Sequence, residues 1–400
     1  MAFRPDPLVC FSHLRWDFVY QRPQHLLSRA ARDREVLFIE EPIFEADIVP
    51  TMTTTKTPEG VTVVVPRLPT SMTASQAEAA QRRMLDRLVA GLSERPVLWY
   101  YTPMAVAWSR HVDARAVVYD CMDELSLFLG APRELCEREA QLFAMADVVF
   151  TGGHSLYRHK RKTQQHDNIH PFPSSVDVAH FAQARHDLVE PQDQASIEGR
   201  RVGFFGVIDE RLDIPLLAGL ADLRPDLQIV MIGPVVKIDP ATLPRRPNIH
   251  YLGGRKYEQL PAYLAGWDVA LLLFARNEAT RFISPTKTPE YLAAGRPVVS
   301  TSIADVVDPY GRSGLAWIAD APGEMAAAID EAMASDPVAR RAHADAVLAE
   351  MSWDRTFAAM WRLVEEAAAN KAARFLSQRS LTPVSAGGAA AARNAGPAED

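Results

Sequence analysis

The 400-residue chain carries only three cysteines, Cys10, Cys121 and Cys136. An odd number without a Cys-x-x-Cys pair points to neither a disulfide framework nor a zinc site. No G-x-G-x-x-G follows the first apolar strand, which argues against a bound dinucleotide cofactor. No Asp-x-Asp stands at a strand end in the second half, so no metal is expected there. Apolar runs stay short of the roughly 18 residues of a membrane span and no signal peptide is visible, so a cytoplasmic protein is expected. Excess positive charge is missing too. A net charge of −7 argues against non-specific nucleic-acid binding as the main task.

With 48% hydrophobic and 23% charged residues, the chain can fill sizeable cores. Apolar stretches such as Leu8–Phe11, Glu35–Glu40, Pro96–Tyr101 and Ala116–Asp120 alternate with helical ones, the mark of an α/β parallel sheet. The pattern stops in polar residues 182–200 and restarts at Arg201. The expected organisation is a Rossmann-like domain over residues 1–181, a linker over 182–200 and a second Rossmann-like domain over 201–350. A last helix over 351–376 carries Trp353, Phe357, Met360, Trp361 and Val364 at core spacing. Residues 377–400, rich in Ser, Pro, Gly and Ala, read as a disordered tail. A helix over 74–90 places Met84, Leu85, Leu88 and Val89 on one face and Arg82, Arg83 and Arg87 on others. That suits a sheet-covering helix with a solvated face, or a basic surface touching the inner face of a membrane. Tyr157 to Lys162 reads as a solvated basic helix end.

The long turn after the first strand holds His13, Trp16, Tyr20 and Arg22, an aromatic and hydrogen-bonding wall suited to a sugar or phosphate acceptor; packing under the first helix is the other reading of Trp16 and Tyr20. Asp120 and Asp123 follow an apolar strand, where carboxylates face the cleft of a doubly wound sheet; Asp123 also reads as a helix cap. With His13 they are the candidate acid–base groups. The most informative stretch is 280–301. Thr286 or Thr288 can cap a short helix, Pro289 falls in its first turn, and Gly295 is placed as its left-handed stop before Pro297. The loop aims a helix start, Lys287 and Glu290 at the carboxyl ends of strands, where open α/β sheets bind ligands.

Ser284-Pro-Thr-Lys-Thr-Pro-Glu290, continued by Tyr291 to Ser300, resembles the donor-site motif of two-Rossmann-domain (GT-B) glycosyltransferases, and most closely the retaining family marked by two glutamates eight positions apart. Glu290 matches the second glutamate, which holds the donor ribose; Phe282 stands in place of the first. Gln21-Arg-Pro-Gln-His25 resembles the opening of certain bacterial cell-surface glycosyltransferases, and Pro171 to Phe181 the family's segment leading into the linker. The resemblance implies two Rossmann-like domains facing each other across a cleft, with the last helix crossing back to the first. It implies a donor site of Gly206, Arg211, Gly233, Gly254, Arg255, Ser284, Pro285, Thr286, Lys287 and Glu290, the two cations Arg211 and Lys287 neutralising the diphosphate without a metal. It places the acceptor, a glycan or lipid-linked hydroxyl, on the first domain near Trp16, Tyr20 and Arg22. In related transferases the strand end near Asp120 and Asp123 carries a cleft histidine. The implied reaction is sugar transfer from a nucleoside diphosphate sugar, in cell-envelope or exopolysaccharide synthesis, with no cofactor beyond that co-substrate. A nucleotide-sugar epimerase of the same shape and a non-catalytic sugar-nucleotide-binding protein remain the alternatives.

Overall fold

Five strands are mostly apolar and buried along their whole length: β1 (Leu8–Ser12), β2 (Val36–Glu40), β6 (Val97–Tyr100), β7 (Ala116–Cys121) and β8 (Val148–Thr151). Such strands belong to a parallel sheet covered by helices. A computed structural model, which describes residues 5–380, assembles them with β3 (Ile43–Glu45), β4 (Thr51–Lys56), β5 (Thr62–Pro69) and β9 (Ile169–Pro171) into one nine-stranded sheet. Its order is β3-β5-β2-β1-β6-β7-β8-β9, with β4 antiparallel on β5. The strand order therefore reverses between β1 and β6.

The second half repeats the plan. β10 (Arg200–Phe205), β11 (Leu227–Ile232), β12 (Ile249–Gly253), β13 (Val269–Leu272), β14 (Val298–Ser300) and β15 (Ala316–Ile318) form a six-stranded sheet ordered β12-β11-β10-β13-β14-β15. Every pairing in it is parallel. Here the reversal falls between β10 and β13, and ligands of doubly wound sheets bind in the crevice at such a point.

Some expectations change. The helix Trp353–Ser380 runs through residues assigned to the tail, while the remainder of that assignment, 381–400, lies outside the described residues. Trp353, Met360 and Val364 are buried in the core of the first half, beside Leu8, Cys10 and Val118. Residues 182–200 are not a bare tether. They contain a short helix, Gln192–Ala195, whose buried Gln194 donates Nε2 to the Tyr263 carbonyl (2.9 Å) and accepts from Trp267 Nε1 (2.8 Å). The basic helix His154–Thr163 is not solvated throughout: Lys160 is buried and its Nζ sits 2.7 Å from Glu139 and 2.8 Å from Glu124. Burial forbids an unpaired ammonium, so two carboxylates surround it. β4 went unforeseen because its Thr-Met-Thr-Thr-Thr-Lys carries almost no apolar signal; only Met52 packs against the core, and backbone pairing to β5 holds the rest.

Candidate functional site

The turns after β10 and β11 lie against each other at the reversal point. Gly206 and Gly233 have φ of +143° and +151°, a region that favours glycine. Space forbids a side chain as well: a Cβ on Gly233 would collide with the Gly206 carbonyl oxygen, and one on Gly206 with Cε of Lys287. The Lys287 side chain therefore lies directly over the Gly206 turn. Lys287 opens the short helix Lys287–Ala293, which is fastened beneath β10 by a hydrogen bond from the Phe205 N–H to the Tyr291 hydroxyl (3.0 Å). Gly295 ends the helix at φ +73°, as its position in the sequence implied. Thr286 occupies the N-cap but makes no side-chain cap bond, and Ser284, Pro285 and Thr286 form the half-buried approach to Lys287. Glu290 is buried one turn on. Burial pushes its carboxyl up to about 8 against the pull of Lys287, and burial lowers the Lys287 ammonium.

Arg211 meets this group from the loop after β10. Its Nε and Nη2 hold both oxygens of Asp209 (3.0 and 2.6 Å), and its guanidinium stands 5.4 Å from the ring centre of Phe128, a residue of the first half. Lys237 approaches the same ring at 5.3 Å. Asp123 faces these charges: burial raises its carboxyl to about 6, opposed by Arg211, Arg22 and Lys287. His13 is half-buried, its imidazole lowered to about 4 chiefly by desolvation and further by Lys237, so it is neutral at pH 7. Its Nδ1 has no hydrogen-bond partner among the described residues. The fold thus brings His13 and Asp123 to the same cleft as Arg211 and Lys287.

Other candidates turn out differently. Asp120 and Arg22 are 0% and 1% exposed and pair with each other, Nη2 to Oδ1 at 2.8 Å. Asp120 is therefore no proton-exchanging catalyst and Arg22 no acceptor ligand; the pair locks the first helix to β7. Arg255 lines the large cavity, yet its guanidinium is turned to the Tyr263 hydroxyl (2.5 Å), the Gly254 carbonyl (2.8 Å) and Asp193. Its side chain thereby shapes the Gly254 loop. Phe282 stacks on His159 of the first half, with ring centres 4.3 Å apart. Nearby, the Ser155 N–H donates to Asp305 Oδ1 (2.9 Å), a second bond between the halves.

Trp16 and Tyr20 do line a cavity. It measures about 820 Å³ and is bounded by Gly206, Gly233, Pro234 and Gly254 on one side and Trp16, Tyr20 and the β4–β5 turn on the other. Trp16 is fixed there by its N–H to Glu40 Oε1 (2.8 Å) and by its ring edge on Phe38. Tyr20 stacks on Tyr257 at 4.7 Å. The loop placed with the acceptor thus borders the same space as the donor turns.

Sequence reasoning passed over Asp209, Phe128, Lys237, Tyr257 and the β4–β5 turn. Asp209 had a signal, two residues before Arg211 and able to chelate it. Tyr257 stands two residues after Arg255, which the resemblance had already named with Gly254. Phe128 and Lys237 had none, since only the approach of the two halves makes them neighbours.

Residues 199–335 match the family model described as Glycosyl transferases group 1. TuaH of Bacillus subtilis (strain 168), a protein named for a glycosyltransferase of teichuronic acid biosynthesis, is 24% identical over 239 residues, covering 55% of this chain. The chain spans 59% of the length of that relative. Solved structures similar over nearly the whole chain include a sucrose-phosphate synthase from Thermosynechococcus elongatus, with 15% identity, 92% of this chain and 100% of that one covered, and a TM-score of 0.67. The Anabaena protein HepE in complex with UDP follows at 11% identity, 90% and 100% coverage and a TM-score of 0.65. The fold is GT-B: two Rossmann-like units built on the two sheets.

Proposed function

We propose that the protein is a glycosyltransferase that moves a sugar from a nucleoside diphosphate sugar to a hydroxyl of a glycan or lipid-linked acceptor in cell-envelope polysaccharide synthesis. The observation that carries this reading is the convergence of Lys287 and Arg211 on the Gly206 turn, with Asp123 facing them from the other half. In the reaction the bond from the anomeric carbon to the diphosphate oxygen breaks, its electrons leave with the diphosphate, and the acceptor oxygen forms the new bond. Lys287 and Arg211 stabilise the charge that develops on the diphosphate, the electrostatic task that dominates such a step. Asp123 is placed to take the proton that the acceptor hydroxyl loses. Glu290 holds the ribose, as the resembling family implies.

The family match and the UDP held by HepE support a nucleotide-sugar donor. Two cations at the diphosphate support transfer without a metal. No helix among the described residues is long and apolar enough to cross a membrane. A lipid-linked acceptor would then be met at the cytoplasmic face of a membrane, for which exposed Arg82, Arg83 and Arg87 offer positive charge. The test is incubation with UDP- and GDP-sugars, with and without EDTA. Slow hydrolysis or transfer that survives chelation supports the proposal. Epimerised sugar nucleotide, binding without any turnover, or loss of activity restored only by Mg²⁺ or Mn²⁺ would each count against the corresponding part.

A further inference from the structure

The Asp123 carboxylate makes no hydrogen bond or ion pair among the described residues, so its place depends on the chain around it. That chain is fastened on both sides by buried charge. Asp120 is held by Arg22, and Glu124 by Lys160, whose Nζ stands 3.0 and 2.8 Å from the two Glu124 oxygens. Ser126 Oγ donates to the same carboxylate (2.8 Å), and the Cys121 thiol donates to the Asp123 carbonyl (3.6 Å). A buried ion pair adds little stability over apolar packing, so two of them flanking one free carboxylate point to a task of placement.

Lys160 belongs to the helix His154–Thr163, which also touches the second half at the loop leading to Lys287. The turn that starts this helix leaves no room. A Cβ on Gly152 would collide with the Met122 carbonyl, and one on Gly153 with Ser284 and Asp305. Met122 precedes Asp123, and Ser284 stands three residues before Lys287. His159 makes the same connection further along the helix. Its ring stacks on Phe282 at 4.3 Å, and its Nε2 lies 3.4 Å from Glu124.

We propose that the helix His154–Thr163 is a positioning element that sets Asp123 against the loop leading to Lys287, with Glu124 and Phe282 as its two contact points. Phe282, at the place where the resemblance expects a glutamate, thereby serves the placement of Asp123. This rests on the glycosyltransferase reading and extends it: Asp123 is held in register with the donor only while the second half is docked on the helix. Placement matters because a shift of about 1 Å at a reacting group can cost roughly a hundredfold in rate.

Steady-state kinetics of the full chain, with whichever of the UDP- and GDP-sugars it turns over, provide the test. A parent without turnover of any donor overturns the glycosyltransferase reading itself. Asp123→Asn as fast as the parent overturns the assignment of the base, and the placement with it. Given an active parent, Glu124→Gln and Phe282→Leu are each expected to lower kcat roughly tenfold to a hundredfold. Donor KM should stay within about twofold, since only the transition state loses a contact. Phe282→Tyr keeps a stacking ring and is expected to restore most of the loss. In an Asp123→Asn background, Phe282→Leu is expected to cost nothing further, because the group it positions is gone. Should Glu124→Gln fail to fold, Phe282→Leu, a change at a half-buried contact between the halves, still decides. A loss as large in the Asp123→Asn background as in the parent, or donor KM rising as kcat falls, marks general loosening and overturns the proposal. Parental kcat in Phe282→Leu overturns it too, while leaving the transferase reading intact.

Discussion

Arg22 and Asp120 stand 98 residues apart in the chain and close on each other in the core, with Arg22 Nε 2.9 Å from one oxygen of Asp120 and Nη2 2.8 Å from the other. The remaining nitrogen, Nη1, donates to the Phe172 carbonyl at 2.7 Å. Two buried charges in such geometry satisfy each other, and neither is available to a substrate. Removing one leaves the other buried and alone. Asp120→Ala is therefore expected to lower unfolding free energy by about 3–5 kcal/mol, read from urea denaturation. A loss far smaller than that would mean that solvent reaches the pair.

Lys287 and Glu290 are expected to separate the two parts of the nucleotide. Lys287→Ala removes a charge-assisted hydrogen bond to phosphate, so diphosphate affinity should fall roughly tenfold to a hundredfold while the bare nucleoside is nearly unaffected. Glu290→Gln should weaken nucleoside and diphosphate alike. Titration calorimetry reads both. Parental affinity in both variants would reduce the segment to a connecting helix.

The Glu290 carboxyl also predicts a pH dependence. Burial raises it from 4.5 to about 8, so the folded state holds a proton that the unfolded state has released. Its stabilising effect is complete below pH 4.5 and is lost as pH climbs through 8. Stability should therefore decline over that window, and Glu290→Gln should flatten the decline. Nucleoside affinity should move the other way, because the ionised carboxylate is the stronger acceptor for ribose hydroxyls. Thermal melts and titrations on both sides of pH 8 test the two signs.

Phe282→Glu puts back the carboxylate that the resembling family carries. Here that side chain stacks on His159 at 4.3 Å and packs against the first half's core. A glutamate would lose the ring contact and place a charge beside Glu124, whose Oε2 lies 3.4 Å from His159. The variant should melt lower and turn over no faster than the parent. A gain in turnover would show that the position can still serve the transferred sugar.

What the sequence determined by itself was local. Mostly apolar runs such as Pro96–Tyr101 and Ala116–Asp120 read as buried strands, and they lie at β6 and β7. Glycine and proline punctuation placed the ends of the helix that Lys287 opens, because φ at Gly295 depends on neighbours in the chain and little else. Gly206 and Gly233 entered through the family resemblance, and only the fold shows that their turns lie against each other. Tertiary structure alone decided which charges are free. Asp120 and Asp123 are three residues apart and chemically alike, yet one is sealed against Arg22 and the other faces Arg211 and Lys287. Arg211 and Arg255 read alike as donor-site arginines, but Arg211 pairs with Asp209 two residues away, whereas Asp193, 62 residues off, reaches Arg255. Pairing of this kind depends on groups tens of residues distant brought to within 3 Å, and a linear pattern carries no record of that distance.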